Sequence, residues 1–359
     1  MDLSNCGWIS ESEHRSIYQR CDVREGDILL TKDGANTGNA ALNPLAEELS
    51  LLSSIAFIRP SLDIAAPGFL LQYLLSSEGQ QRLQDLMSGN AIRRLTLAKI
   101  KRFEIPVPPL PEQRMIAEIL DTIDDAIQKT EAIIAKLEQV KQGLLHDLLT
   151  RGIDDNGELR DPDRHPEQFK DSPLGRIPKA WKVRRIPALF TTVRPGPRQD
   201  AESCALSGPV PVLDQSAFGF IGSFQGPAGV RASETNPVIT FANHTCEVRW
   251  VTFDCSAIQN VFFLRPAGEG SARFLFYTIA GRIPQVSYQG HWPLLQELQI
   301  AVPNITEQQQ IARRLSTLDD RTSLELRELG KLRSLKHGLM EDLLTGRVRV
   351  TPLLDETPA

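Results

Sequence analysis

Residues 105–153, IPVPPLPEQRMIAEILDTIDDAIQKTEAIIAKLEQVKQGLLHDLLTRGI, align without a gap onto residues 300–348, IAVPNITEQQQIARRLSTLDDRTSLELRELGKLRSLKHGLMEDLLTGRV. Twenty of the forty-nine positions are identical. They pair Pro108 with Pro303, Glu112 and Gln113 with Glu307 and Gln308, Asp124 and Asp125 with Asp319 and Asp320, and Asp147 to Thr150 with Asp342 to Thr345. A fixed offset of 195 over this length marks an internal repeat. Upstream the likeness is looser: Gly26 to Leu30 resembles Asn236 to Thr240 at an offset of 210, and Phe57 to Pro60 resembles Phe263 to Pro266 at 206. Offsets that drift beside one that does not describe two variable globular units, each followed by an element of invariant length, because loops absorb insertions and paired helices do not.

That element reads as a helix with a heptad seam. In the first copy Ile116, Leu120, Ile123, Ile127, Thr130, Ile134, Leu137, Lys141, Leu144 and Leu148 alternate by four and three. The second copy has Ile311, Leu315, Leu318, Thr322, Glu325, Leu329, Leu332, Lys336, Leu339 and Leu343 at the same places, so the polar interruptions recur at matching depth. Pro111 suits a first helical turn, and Thr306 with Gln309 reads as a capping box opening the second helix. A helix over residues 112–149 spans roughly 55 Å. The first helix leaves unit one and the second leaves unit two with equal length, so seam-to-seam pairing requires an antiparallel return. An isolated heptad run is most simply a dimerisation coiled coil. Two equal runs in one chain favour pairing within it, through their higher effective concentration.

Short apolar runs, Ile28 to Leu30, Ser54 to Ile58, Val238 to Phe241 and Val261 to Leu264, read as strands, and Pro67 to Gly79 and Ser271 to Gly281 have helical spacing. The expected fold class is α+β: two mixed α/β domains separated by a pair of long antiparallel coiled-coil helices. The expected boundaries are 1–108 for the first domain, 109–153 for the first helix, 154–172 for an acidic linker or exposed ordered loop, 173–304 for the second domain, 305–350 for the second helix and 351–359 for a tail.

Composition excludes more than it assigns. The chain has 359 residues, 41% apolar and 24% charged, with a net charge of −5, so it reads as two ordinary globular domains. Segment 173–304 holds 12 basic against 8 acidic residues, and 154–172 holds 3 against 7, so a locally basic unit is hidden in an acidic total. No run has the apolar length of a spanning helix, and Glu11, Glu13, Arg15 and Arg20 replace a signal-peptide core. Five cysteines without a CxxC pair fit a reducing compartment, so the expected location is cytoplasmic.

Enzyme motifs fail on inspection. Gly34 to Gly38 is too short for a phosphate loop and reads as a hairpin tip. Pro162-Asp163 with Glu167 and Lys170 has the wrong final spacing for a nuclease cluster and lies in the linker. His244 and Cys246 at i, i+2 read as strand neighbours, with no zinc signature around them. The expectation is a non-enzyme with no metal or cofactor of its own.

Pro108-Pro109-Leu110-Pro111-Glu112-Gln113 opening a long helix, Gly143-Leu144-Leu145-His146-Asp147-Leu148-Leu149-Thr150 closing it, then Phe169-Lys170-Asp171-Ser172 and Ile177-Pro178-Lys179-Ala180-Trp181, resemble the specificity subunits of type I restriction-modification systems. In this order, with the helix repeated, the resemblance covers nearly the whole chain. It implies two target-recognition domains, each reading one half of a split asymmetric site in double-stranded DNA, with the helices setting the gap. It also implies docking of two methyltransferase subunits, which bind S-adenosylmethionine and methylate adenine N6, and of restriction subunits where restriction occurs. In one respect the pattern departs: 25 residues precede the strand of unit one, while 59 separate Ile177 from Asn236, so unit one lacks about thirty residues, including counterparts of Ile177-Pro178 and Trp181.

Candidate DNA contacts follow from side-chain chemistry. Lys32, Asp33 and Asn36 lie in the Gly-rich turn of unit one, and Asn90, Arg93 and Arg94 precede a helix. Asn243, His244, Arg249, Gln289 and His291 occupy comparable stretches of unit two. Arginine reads guanine, and asparagine or glutamine reads adenine, by paired hydrogen bonds in the major groove. Each also has a plain explanation as turn former or surface. Lys99, Lys101 and Arg102 suit phosphate, which positions without specifying. The competing readings are a coiled-coil scaffold without DNA affinity, suggested by the acidic total, and a hydrolase resting on the linker carboxylates.

Overall fold

The computed structural model describes residues 6–87, 94–268, 270–280, 282 and 290–355. The chain divides into two compact units, one of residues 1–134 and 324–359, the other of 135–323. Each long helix, described below, contributes one segment to each unit.

In the first unit, helix α1 (Glu11–Tyr18) is opened by a capping box of Ser10 and Glu13. Strands β1 (Ile28–Thr31), β2 (Ala40–Leu42) and β3 (Ile55–Ile58) form an antiparallel sheet in the order β2-β1-β3. Helices α2 (Pro67–Leu75), α3 (Ser77–Leu86) and α4 (Leu97–Ile100) follow. The apolar residues read as strand and helix close on one another: Ile28 and Leu30 pack against Leu70, Leu74, Leu83 and Leu95. Helix α5 (Leu110–Thr150) then begins, with Pro111 in its first turn as expected.

The second unit carries β4 (Phe169–Ser172) paired to β5 (Gly175–Pro178), β6 (Lys182–Arg185) and β7 (Phe190–Val193), so the acidic stretch 154–172 ends in a strand. Then come β8 (Val210–Leu213), β9 (Phe220–Phe224), β10 (Val238–Ala242), β11 (Val248–Val251), β12 (Ser256–Ala257) and β13 (Val261–Pro266). Helices α6 (Ala272–Ile279) and α7 (Trp292–Glu297) precede β14 (Gln299–Val302), which pairs with β6. Every residue of β10 is buried, as its continuous run Val-Ile-Thr-Phe-Ala requires at the centre of the sheet β11-β10-β13-β7. The matched pairs β1 with β10 and β3 with β13 make the looser upstream repeat a structural one. Strand β7, on the outer side of β13, has no counterpart among the described residues of the first unit.

Helix α8 (Ile305–Leu343) and helix α9 (Thr351–Asp355) complete the chain. The capping box expected at Thr306 and Gln309 is displaced. Asn304 Oδ1 accepts the Glu307 amide at 2.9 Å, so Asn304 caps the helix and Thr306 lies inside its first turn. Strand β14 ends at Val302, and the helix starts as soon as the chain clears that pairing.

Within each unit the helices return antiparallel. In the first, Ile116, Ala117 and Leu120 from the start of α5 pack with Met340, Leu343 and Leu344 from the end of α8, together with Phe69 and Tyr73 of α2. In the second, Leu148 and Leu149 from the end of α5 share a core with Ile311, Ala312 and Leu315 from the start of α8 and with Phe274 and Tyr277 of α6. All twenty heptad positions are buried or half-buried. Leu120 and Leu315 are fully buried, and truncating either to alanine is expected to cost about 2–5 kcal/mol.

Candidate nucleic-acid interface

The first group of candidates surrounds the β1–β2 hairpin, whose tip turns through Gly34 and Gly38 in left-handed conformations. Lys32 Nζ lies 2.9 Å from Asp33 Oδ2, and Arg94 Nε lies 2.8 Å from Asp33 Oδ1. The backbone secures the same junction, because the Leu95 amide donates to the Lys32 carbonyl at 2.8 Å. The Lys32 hydrogen bond, helped by the charges of Arg94 and Lys32, holds the Asp33 carboxyl below its ordinary range. Two cations around one carboxylate leave the tip net positive, with Asn36 and Arg94 exposed. Lys99 Nζ donates to the Leu86 carbonyl at 2.6 Å, which ties α4 to the end of α3. Lys101 and Arg102 are exposed. Asn90 and Arg93 lie outside the described residues.

In the second unit the candidates turn inward. Arg249 of β11 donates through Nη1 to the Asp214 carbonyl at 3.0 Å and through Nη2 to that of Ser216. The His244 amide donates to Gln215 Oε1 at 3.0 Å, and Thr245 Oγ1 donates to the Gln215 carbonyl at 2.5 Å. These bonds tie the loop joining β8 to β9 to β11 and to the turn before it, and burial lowers the Arg249 pKa from its ordinary value. Asn243 and His291 form a latch: the His291 amide donates to the Asn243 carbonyl at 2.9 Å, and the Trp292 amide donates to Asn243 Oδ1 at 2.8 Å. His291 is 2% exposed, so the structure gives it a supporting position in place of the surface one expected. Gln289 lies outside the described residues.

What the pinned loop presents is aromatic. Phe218 is 82% exposed and stands edge-on to Phe220 at 6.3 Å, and Phe220 stacks on Phe253 at 6.0 Å. Residue-type reasoning missed this patch, because it looked for hydrogen-bonding side chains. The signal was Phe218-Gly219-Phe220 in a turn, where two aromatics beside a glycine have little core to enter.

The repeated helix residues anchor each domain. Gln113 accepts the Ala66 amide at 2.8 Å and donates to the Pro108 carbonyl at 2.7 Å. Its repeat mate Gln308 accepts the Ser271 amide at 3.0 Å and donates to the Pro303 carbonyl at 3.0 Å. One glutamine in each copy thus stitches the start of the long helix to the N-terminus of a domain helix. Glu307 accepts from the Ile153 amide at 2.9 Å, Trp181 Nε1 at 3.1 Å and Arg160 Nη1 at 2.5 Å. Its mate Glu112 is held by Arg349, with Nε at 2.8 Å from Oε2. That bond lowers the Glu112 pKa from its ordinary value.

Lys170 of the linker motif spends its ammonium on the carbonyls of Lys179 and Trp181, both at 2.7 Å. Among the described residues there is no group of three potential metal-ligating side chains, and no helix is long and apolar enough to cross a membrane. The groups offered outward are cations, amides and an aromatic patch, which suit recognition of a polyanion with base edges.

A family model described as the type I restriction modification DNA specificity domain matches residues 16–139. The chain is 25% identical to the specificity subunit assigned to the type I restriction enzyme MjaX of Methanocaldococcus jannaschii, across 98% of this chain and 84% of the relative. It is 24% identical to the MjaVIII specificity subunit of the same organism, across 92% and 81%. Its fold is similar to the crystal structure of a type I restriction-modification S subunit from M. genitalium, with a TM-score of 0.62 at 16% identity over 90% of this chain and 83% of that one.

Proposed function

We propose that this chain, similar to type I restriction-modification specificity subunits across nearly its whole length, is the DNA sequence-reading subunit of such a complex. Each mixed domain reads one half of a bipartite asymmetric site in double-stranded DNA, and the paired helices set the spacing and dock methyltransferase subunits. The observation that carries this reading is the repeat itself: two domains of one architecture, each tied by the same glutamine to a helix pair that returns on itself. A spacer of fixed helical length suits half-sites more than one duplex turn of about 34 Å apart. A net positive hairpin tip and an exposed aromatic patch at Phe218 favour a DNA reader over a scaffold without DNA affinity.

Recognition is the chain's share of the chemistry. In the proposed complex two methyltransferase subunits bind S-adenosylmethionine and methylate adenine N6, and restriction subunits join where cleavage occurs, all in the cytoplasm. In this reading the exposed Arg94 and Asn36 of the first domain meet base edges or phosphate, and Lys101 and Arg102 meet phosphate. In the second, Asn243, His244, Arg249 and His291 hold the reading surface, and the loop they support meets the duplex.

Methylome sequencing of cells carrying this gene with its partner methyltransferase tests the proposal. The expected result is a split adenine-methylated motif with one spacer length that disappears on deletion of the gene. A methylome unchanged by the deletion overturns it.

A further inference from the structure

In each unit a carboxylate of one long helix meets the other long helix and a domain helix, and the two carboxylates occupy the same position of the repeat. In the first unit Asp124 of α5 receives Lys336 Nζ of α8 at 2.6 and 2.7 Å and the amide of Gln72, from α2 of the recognition domain, at 3.0 Å. Gln72 is itself 2% exposed, and the same Nε2 lies 2.8 Å from Asp121 Oδ1. In the second unit Asp319 of α8 receives Lys141 Nζ of α5 at 2.5 Å and, from α6, the hydroxyl of Tyr277 at 2.5 Å and Arg273 Nη2 at 3.5 Å. Tyr277 is 2% exposed, and Arg273 lies over the rings of Trp250, Phe276 and Tyr277 at 4.7, 5.5 and 5.4 Å. The aromatic stack fixes the direction of that tie.

The layout selects one pairing. Asp124 and Asp319 are repeat mates, as are Lys141 and Lys336, so a parallel in-register pair brings like charges together at both layers. The antiparallel return brings opposite charges together at both. A slip of one heptad moves each carboxylate about 10 Å from its lysine, the length of roughly three base pairs of duplex. Heptad leucines alone tolerate such a slip, and half-buried ion pairs that link the seam lysines Lys141 and Lys336 to carboxylates flanking the seam do not. The recognition-domain donors add a second constraint, because Gln72 and Tyr277 reach their carboxylates only in one setting of domain against helix.

We propose that Asp124 and Asp319 are spacing-selective positioning residues, each joining helix register to the setting of its own recognition domain and thereby narrowing the range of half-site separations that the complex accepts. This rests on the specificity-subunit reading. It concerns which spacer is accepted, and leaves the recognised half-sites unchanged.

The test uses the full complex with its methyltransferase subunits and duplexes carrying the motif found by methylome sequencing, with the spacer shortened or lengthened by one to three base pairs. Wild type is expected to methylate one spacer. Asp319→Asn and Asp124→Asn are expected to raise the rate on neighbouring spacers, relative to the native one, by about tenfold, the worth of one hydrogen bond to a charged group. Tyr277→Phe removes a single hydroxyl and keeps the stack, so it reads the domain tie even where an aspartate variant assembles poorly. The swap Asp319→Lys with Lys141→Asp restores the helix pair but leaves Tyr277 without its acceptor, and is expected to remain relaxed. Assembled Tyr277→Phe and aspartate variants that keep the wild-type spacer preference overturn the proposal while the function stands. Absence of any bipartite motif for the wild-type complex overturns the function and the proposal with it.

Discussion

Lys336 places its ammonium 2.6 Å from Asp124 Oδ1, and the same pair recurs with the helices exchanged as Lys141 and Asp319 at 2.5 Å. These side chains are less than one-third exposed, which lifts them above the median surface ion pair. A double-mutant cycle with Asp124→Asn and Lys336→Met, read by chemical denaturation, is expected to give a coupling of about 1 kcal/mol. A coupling near zero removes the pair from any account of register.

Gly152 ends the first helix in a left-handed conformation with φ +64°, and an added Cβ meets Glu307, Trp181 and Arg160 together. Gly152→Ala is therefore strained by its backbone and by overpacking beside a buried charge, with an expected cost of about 2–4 kcal/mol. Equilibrium unfolding measures it, and a change within 0.5 kcal/mol in either direction contradicts it, taking about 0.5 as the scatter of neutral surface substitutions.

Glu112 has its folded pKa lowered by the Arg349 bond, so the pairing stabilises the protein above the ordinary glutamate value and is lost as pH falls through the folded value. The melting-temperature gap between wild type and Glu112→Gln is expected to be full at pH 7. It should hold to about pH 4.3 and shrink below it. A gap that grows on acidification has the wrong sign for this pairing.

Arg249 and Phe218 separate support from surface. Arg249→Met releases two backbone carbonyls of the β8–β9 loop and is expected to destabilise by about 1–3 kcal/mol. Phe218→Ser, at a side chain 82% exposed, is expected to change stability by no more than about 0.5 kcal/mol while weakening duplex binding by the assembled complex. Unchanged binding by Phe218→Ser removes the loop from the interface.

Lys101 and Arg102 are expected to act through phosphate. Titrating duplex binding against salt should give a slope that falls by about 0.9 for each alanine substitution, with no change in the preferred motif. An altered motif instead moves these residues to base contact.

Strands β1, β3, β10 and β13, helices α2 and α6 and the heptad seam were legible in the sequence, because each depends on a periodicity or an apolar run that burial enforces locally, while the helix read over Pro67 to Gly79 is broken at Ser76, whose extended backbone ends α2 and caps α3. The candidate site was legible only in part. Asn243, His244, Arg249 and His291 have the side chains of base readers, yet Asn243 and His291 close a latch and Arg249 and His244 hold a loop, since a donor near an unsatisfied carbonyl is used there first. Lys99 met the same fate at the Leu86 carbonyl. The cap of the second helix moved from Thr306 to Asn304, because composition suits both and the end of β14 chose between them.

By itself the sequence determined that there are two alike domains, two helices of equal extent and a seam with matching polar positions, since each is a repetition visible along the chain. Only the tertiary structure decided which polar partners meet beside that seam. Asp124 finds Lys336 and Gln72, and Asp319 finds Lys141, Arg273 and Tyr277, because these partners are far apart in sequence and are brought together only when burial of the leucines folds one helix back against the other.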